Sequence, residues 1–200
     1  MTITTTPTLL QLAGADLSLP KLGAASLVLI DLQNEYLTGP LALPYADAAI
    51  ANAARLLARA RNEGAMIFHV AHRGRSGGLF DRAAARGGIV SALAPLPDEP
   101  TIEKELPNAF AGTDLKAHLD AAGHKNIVLA GFMTHMCISS TARAALDLGF
   151  RTTIDATACA TRDLPDGRGG IIPAATVHDV ALIELSDRFA LIARDQAALV

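Results

Sequence analysis

The sequence predicts an α/β protein: a single-domain, three-layer α/β/α sandwich around a central, mostly parallel six-stranded sheet. Three observations predict it. Short apolar runs alternate with helical patterns along the chain, and strand–helix–strand repeats impose right-handed crossovers. Runs such as ASLVLI (25–30) and NIVLAGF (126–132) are apolar throughout rather than alternating, so their strands are buried on both faces, as in a parallel sheet. Two hundred residues, half of them hydrophobic and 18% charged, suit one domain with a full core.

The elements follow in order. Residues 1–20 read as an N-terminal arm that packs on the body or on a partner subunit, and residues 21–200 as the domain. The first strand, 25–30, ends at Asp31. Residues 46–61 place Ala49, Ile50, Ala53, Leu56, Leu57 and Ala60 at helical spacing. A second strand, 65–71, leads into a glycine-rich loop and a weaker strand, 101–104. Thr113 is set to cap a short helix through Ala121. The fourth strand, 126–132, precedes a helix from about 135 to 148, with Thr134 as its expected N-cap. A fifth strand spans 151–156. The last helix spans 173–186, where Pro173 suits the first turn because its missing N–H costs nothing. Residues 188–194 close as the sixth strand.

Composition narrows the function classes. The net charge is −3 and no block of Lys and Arg occurs, which argues against nucleic acid or an anionic membrane surface as partner. There is no Trp, and aromatics make up 4%, which argues against base-stacking platforms. Cys137 and Cys159 form no CxxC pair and no disulfide framework. With no signal peptide read at the start, a reduced, cytoplasmic setting is expected. No stretch offers the roughly 18 apolar residues of a membrane span.

Ligands of open α/β sheets bind beyond the carboxyl ends of the strands. That rule directs attention to Asp31, His72, Lys104, the 134–137 turn and Asp155. Cys137 lies in GFMTHMC, at the start of a helix, where free N–H groups favour a thiolate and can hold an oxyanion. The same position also suits a buried structural thiol. Asp31 reads as the base for that thiol or as a cap or lysine partner. Lys104 reads as a stabiliser of negative charge or as a surface lysine beside Glu103 and Glu105. Together, a carboxylate, an ammonium and a helix-start thiol converge on one sheet edge, the combination of a cysteine nucleophile with its base.

These pieces resemble the isochorismatase-like cysteine hydrolases, a group that includes nicotinamidases, N-carbamoylsarcosine amidases and streptothricin hydrolases. The matching residues are Asp31-Leu32-Gln33-Asn34, Lys104 ahead of NAFAGTDL (108–115), GFMTHMC (131–137) and DATACATRD (155–163), over roughly residues 22–195. The resemblance implies Asp31, Lys104 and Cys137 as the catalytic residues. It also implies a cis peptide between Phe132 and Met133, and an oxyanion hole from the backbone N–H groups of Met133 and Cys137. The implied activity is hydrolysis of a C–N bond, amide or ureido, in a small molecule through a thioester. The implied assembly is a homo-oligomer, a dimer or larger.

One feature departs from the nicotinamidase pattern. Their metal-binding Asp-x-His becomes Val70-Ala71-His72, so neither metal nor cofactor is expected. Gln33, Tyr36, His72, Phe110 and Thr134 are candidates for contact with substrate, with core packing the alternative for Phe110. The HRGRSGGLF segment (72–80) reads as a flexible loop or as a substrate cover through Arg73 or Arg75. Asp155 reads as a strand-end cap and Cys159 as structural. Two other functions stay open. One is vinyl ether hydrolysis of the isochorismate type, which Cys137 counts against. The other is a redox-responsive binding protein, for which Asp31 and Lys104 have no use.

Overall fold

The structure, a computed structural model, describes residues 6–199. Six strands form one sheet: β1 (Ser26–Ile30), β2 (Met66–His72), β3 (Thr101–Lys104), β4 (Asn126–Phe132), β5 (Arg151–Ala160) and, last in the chain, β8 (Leu191–Ala193). A two-stranded antiparallel ribbon, β6 (Leu164–Pro165) with β7 (Ile171–Ile172), lies outside it. The order across the sheet is β3-β2-β1-β4-β5-β8, and every pairing is parallel. The chain winds outward from β1 through β2 to β3, then returns to place β4 on the other side of β1. The sheet therefore changes winding direction between β1 and β4, and the crevice this opens lies beyond their carboxyl ends.

Side chains of successive strand residues point to opposite faces. On one face, Leu27 and Leu29 of β1 and Val128 and Ala130 of β4 join Ala53, Leu56, Leu57 and Ala60 of α2 (Ala46–Asn62). On the other, Val28, Ile30, Ile127 and Leu129 meet three helices. These are α3 (Leu115–Ala122), α4 (Ser139–Asp147) and α5 (Ala174–Arg188). The three layers are thus the two halves of the same apolar runs. A short helix in the arm, α1 (Leu9–Leu12), is anchored on α5, where the Leu9 N–H donates to Asp187 Oδ1 at 2.8 Å.

Several boundaries differ from the sequence expectation. β5 runs on to Ala160, because its register against β4 shifts between Leu129 and Gly131 and pairing resumes at Gly131 with Cys159. Gly131 has φ of 137°, and a Cβ there would meet the Ile30 carbonyl oxygen at 1.9 Å. Only glycine lets β4 approach β1 that closely. α5 continues to Arg188, which shortens the last strand to Leu191–Ala193. Pro173 is the cap of α5 rather than part of its first turn. Asp114 precedes α3, and Thr113 contributes by accepting the Leu115 N–H at 3.3 Å while donating to the Ala109 carbonyl at 2.6 Å. The helix after β4 opens with a π-helical turn, Thr134–Ile138, whose Ile138 N–H donates to the Met133 carbonyl at 3.3 Å. Such wide turns recur at functional sites.

Candidate active site

Three strand ends supply the site. Asp31 follows β1 directly and has a left-handed backbone, φ of 54°. An aspartate tolerates that region better than most residues. Its N–H donates to the Val70 carbonyl at 2.8 Å, and its own carbonyl accepts from Gln33 N–H at 2.8 Å. Lys104 ends β3, two strands away from β1. Neighbouring strands lie about 4.8 Å apart, so only a long side chain spans the intervening end of β2. Cys137 sits in the π-helical turn after β4, across the winding change.

These three side chains meet. Lys104 Nζ lies 2.6 Å from Asp31 Oδ2 and 3.3 Å from Cys137 Sγ. Asp31 and Lys104 have fully buried side chains, while Cys137 keeps 6% exposure. Apart from the lysine, neither carboxylate oxygen of Asp31 has a well-directed donor. Burial raises the Asp31 pKa, and the Lys104 charge offsets only part of that rise. Burial also pushes the Cys137 thiol up to about 12, reinforced by the Asp31 charge and opposed by Lys104. The helix start favours a thiolate, but burial keeps the proton on the resting sulfur. Loss of solvent and the neighbouring carboxylate outweigh the Lys104 ammonium. A carboxylate with spare lone pairs beside a protonated thiol is an acceptor in place for its proton.

The candidate substrate contacts divide. His72 is half-buried at the end of β2, with Nδ1 3.5 Å from Lys104 Nζ and its ring 5.0 Å from that of Phe80. Tyr36 is buried against Phe80 and Phe132, at centroid distances of 5.2 and 5.4 Å. Its pKa is raised by burial and then by the Asp31 charge. Gln33 is corrected from substrate contact to strut, because its amide is already spent. Nε2 donates to the carbonyls of His72 and Gly87 at 3.0 and 2.8 Å, and Oε1 accepts the His72 N–H at 2.8 Å. Phe110 is corrected to core packing. It stacks on Phe150 at 5.9 Å, just before the amino end of β5, the opposite end of the strands from the site. Thr134 makes no capping bond; the preceding residue is Met133, and the Thr134 hydroxyl lies 2.9 Å from His178 Nδ1 of α5. The Phe132–Met133 peptide is cis, at the place the resemblance implies.

Residues 33–35 have a function the sequence reading missed. They grip the loop that follows β2. Asn34 N–H donates to the Gly88 carbonyl at 2.9 Å, and its Nδ2 to the Ala85 carbonyl at 2.9 Å. Buried Glu35 accepts the Phe80 N–H at 3.0 Å and pairs with Arg86 at 3.2 Å. The signal was a polar run, Gln33-Asn34-Glu35, two residues beyond a buried strand. Polar groups so placed need partners. The loop itself is braced: a Cβ on Gly74 would meet the Leu79 carbonyl oxygen at 1.8 Å. Arg73 pairs outward with Glu103 and Glu105, at 3.6 and 2.6 Å, instead of reaching into the site.

His69, the other histidine of β2, is also spent, since its Nε2 lies 2.9 Å from Glu99. Among the described residues, no group of three or more His, Cys, Asp and Glu side chains is arranged to hold a metal ion. No described helix is long and apolar enough to cross a membrane. Asp155 caps locally, its Oδ1 accepting the Thr157 N–H at 2.9 Å. Cys159 is buried and its thiol is held well above the usual range by that burial.

Comparison with known proteins agrees with this fold. The isochorismatase domain model matches residues 25–195. The crystal structure of an isochorismatase from Pseudomonas putida KT2440 superposes with a TM-score of 0.94 at 44% identity, covering 98% of this chain and 100% of that one. An uncharacterized isochorismatase family protein of Bacillus subtilis, YddQ, is 37% identical over 87% of this chain and 98% of its own length. A streptothricin hydrolase of Streptomyces noursei is 32% identical over 86% of this chain, which spans 63% of that protein.

Proposed function

This chain belongs to the isochorismatase family of hydrolases, and from that premise we propose that it hydrolyses a C–N bond of a small amide or ureido compound through a Cys137 thioester. The observation that carries this reading is the contact of three groups at the crevice: Lys104 Nζ lies 2.6 Å from Asp31 and 3.3 Å from Cys137. The amide-cleaving class draws support from the streptothricin hydrolase among the relatives and from the presence of a thiol at the position facing the base.

The steps balance without an added oxidant or reductant. Asp31 takes the Cys137 proton as the sulfur attacks the substrate carbonyl carbon. The C=O pair moves to oxygen, and the backbone N–H groups of Met133 and Cys137 hold that oxyanion. The pair returns, the C–N bond breaks, and the leaving nitrogen takes the proton from Asp31. Water then attacks the thioester, giving its proton to Asp31. The acid departs, and the proton returns to the sulfur. Lys104 orients the Asp31 carboxylate and stabilises sulfur as it becomes anionic. Because burial keeps the proton on sulfur at rest, its transfer to Asp31 is coupled to attack rather than complete before it.

The test is ammonia or amine release from a panel of small primary amides, ureido acids and streptothricin. Wild type is expected to turn over at least one member, and Cys137→Ala none. Full activity in Cys137→Ala rejects the nucleophile, and reversible sulfenate formation without any hydrolysis favours a redox-responsive protein instead.

A further inference from the structure

We propose that His72 is a positioning residue whose neutral imidazole, through Nδ1, takes the third N–H of Lys104. The proposal deepens the reading of the site given above and rests on it for its catalytic meaning. An ammonium has three donors and no acceptor. Around Lys104 Nζ stand three acceptors: Asp31 Oδ2 at 2.6 Å, Cys137 Sγ at 3.3 Å and His72 Nδ1 at 3.5 Å. Lys104 is 1% exposed, so a donor without a protein partner there loses its hydration without return. The three acceptors come from three different elements, and together they fix the head of a flexible side chain against both reacting groups.

His72 is built to hold this orientation. Its backbone is pinned on both sides by Gln33, which accepts its N–H at 2.8 Å and donates to its carbonyl at 3.0 Å. Its ring packs edge-on against Phe80, whose own N–H is fixed by Glu35. The charged groups acting on the imidazole are Lys104 and Glu105 from the end of β3 and Asp31 from the end of β1. Arg73, next to it in the chain, is paired with Glu103 and Glu105. Burial, then the Lys104 charge, lowers the His72 pKa, while Asp31 and Glu105 oppose. The imidazole is therefore neutral at neutral pH, with its proton on Nε2 and its Nδ1 lone pair toward the lysine. Protonation of Nδ1 removes the acceptor and sets a second cation beside Lys104. The geometry thus gives the site an acid-side control separate from protonation of Asp31.

Alkylation of Cys137 by iodoacetamide, followed by peptide mapping from pH 5 to 9, reads this without any substrate. In wild type the rate rises steadily as the thiol ionises and shows an added step below the ordinary imidazole value of 6.5. His72→Asn keeps an acceptor at the Nδ1 position but does not titrate. It is expected to keep the pH 8 rate within about twofold and to lose the step. His72→Leu, which has no acceptor, is expected to lower the pH 8 rate about tenfold. The proposal is overturned if the Asn and Leu variants behave alike or if the step survives in His72→Asn. Nitrogen-15 imidazole spectra of the unmutated protein give a readout independent of folding in the variants: the Nε2–H tautomer is expected at pH 8, and the Nδ1–H tautomer overturns the proposal. Neither readout depends on amide turnover. Failure here leaves the hydrolase reading standing, and failure of that reading leaves the Lys104 contact standing.

Discussion

Two carboxylates with little side-chain exposure, Glu99 and Asp31, differ in the number of donors around them. Glu99, just before β3, accepts from Arg61 Nε and Nη2 at 2.7 and 2.8 Å and from Leu96 N–H at 2.9 Å, and lies 2.9 Å from His69 Nε2. Burial works against its charge, but those partners outweigh it and hold its pKa down to about 2. Asp31 has one cation and no other well-directed donor, and its pKa is raised. Each cluster contains a basic side chain and a histidine of β2, His69 or His72, three residues apart. A saturated carboxylate holds two strands and a helix together. An unsaturated one retains the capacity to accept a proton, and it sits where the sheet changes winding direction and a thiol faces it.

Substitutions break this comparison at different strengths. Cys137→Ala is expected to abolish amide turnover, by about 10⁴-fold or more, with an unchanged circular dichroism spectrum. Asp31→Asn is expected to lower kcat by about 10³-fold. Turnover in Asp31→Asn within tenfold of wild type would make the carboxylate a structural group like Glu99. Lys104→Met, similar in length, removes the charge that offsets the burial of Asp31. It is expected to cost about 3–5 kcal/mol in urea unfolding at pH 7, a cost that shrinks at pH 4 as Asp31 is protonated.

Glu99→Gln sharpens the other half. A carboxylate whose pKa is depressed on folding contributes stability above its unfolded value, and that stability is lost as pH falls through the folded value. Between the ordinary 4.5 and about 2, the contribution is on the order of 3 kcal/mol. Glu99→Gln is expected to remove that amount at pH 7 and to flatten the loss of stability from pH 4.5 toward pH 2. Turnover per folded molecule should stay within about twofold. The smallest effect is assigned to Phe110→Leu, which trims packing against Phe150 at the far end of the sheet. It should cost about 1 kcal/mol in stability and leave KM unchanged; a severalfold rise in KM would return Phe110 to the pocket.

The fold was legible because its signals are local. The six expected strands and four expected helices are all present in the expected order, with shifted ends, and parallel order follows from their alternation. Asp31, Lys104 and Cys137 were legible because each ends or follows a strand, and topology brings such positions together. What was not legible depends on pairing between distant residues. The length of β5 depends on a register shift opposite Gly131. The task of Gln33 depends on which backbone groups the loop at 72 and 87 presents to it. The protonation of Cys137 depends on burial, which the sequence around GFMTHMC does not carry. Phe110 was left open between pocket wall and core, and stacking on Phe150 decided its position.

The most direct test of Cys137 as nucleophile is acid quench during turnover of an active amide, followed by peptide mapping. The account predicts the mass of the substrate acyl group on the peptide carrying Cys137, an adduct that disappears as substrate is exhausted and does not form in Cys137→Ala. Steady amine release with Cys137 unmodified throughout, undiminished in Cys137→Ala, would contradict it.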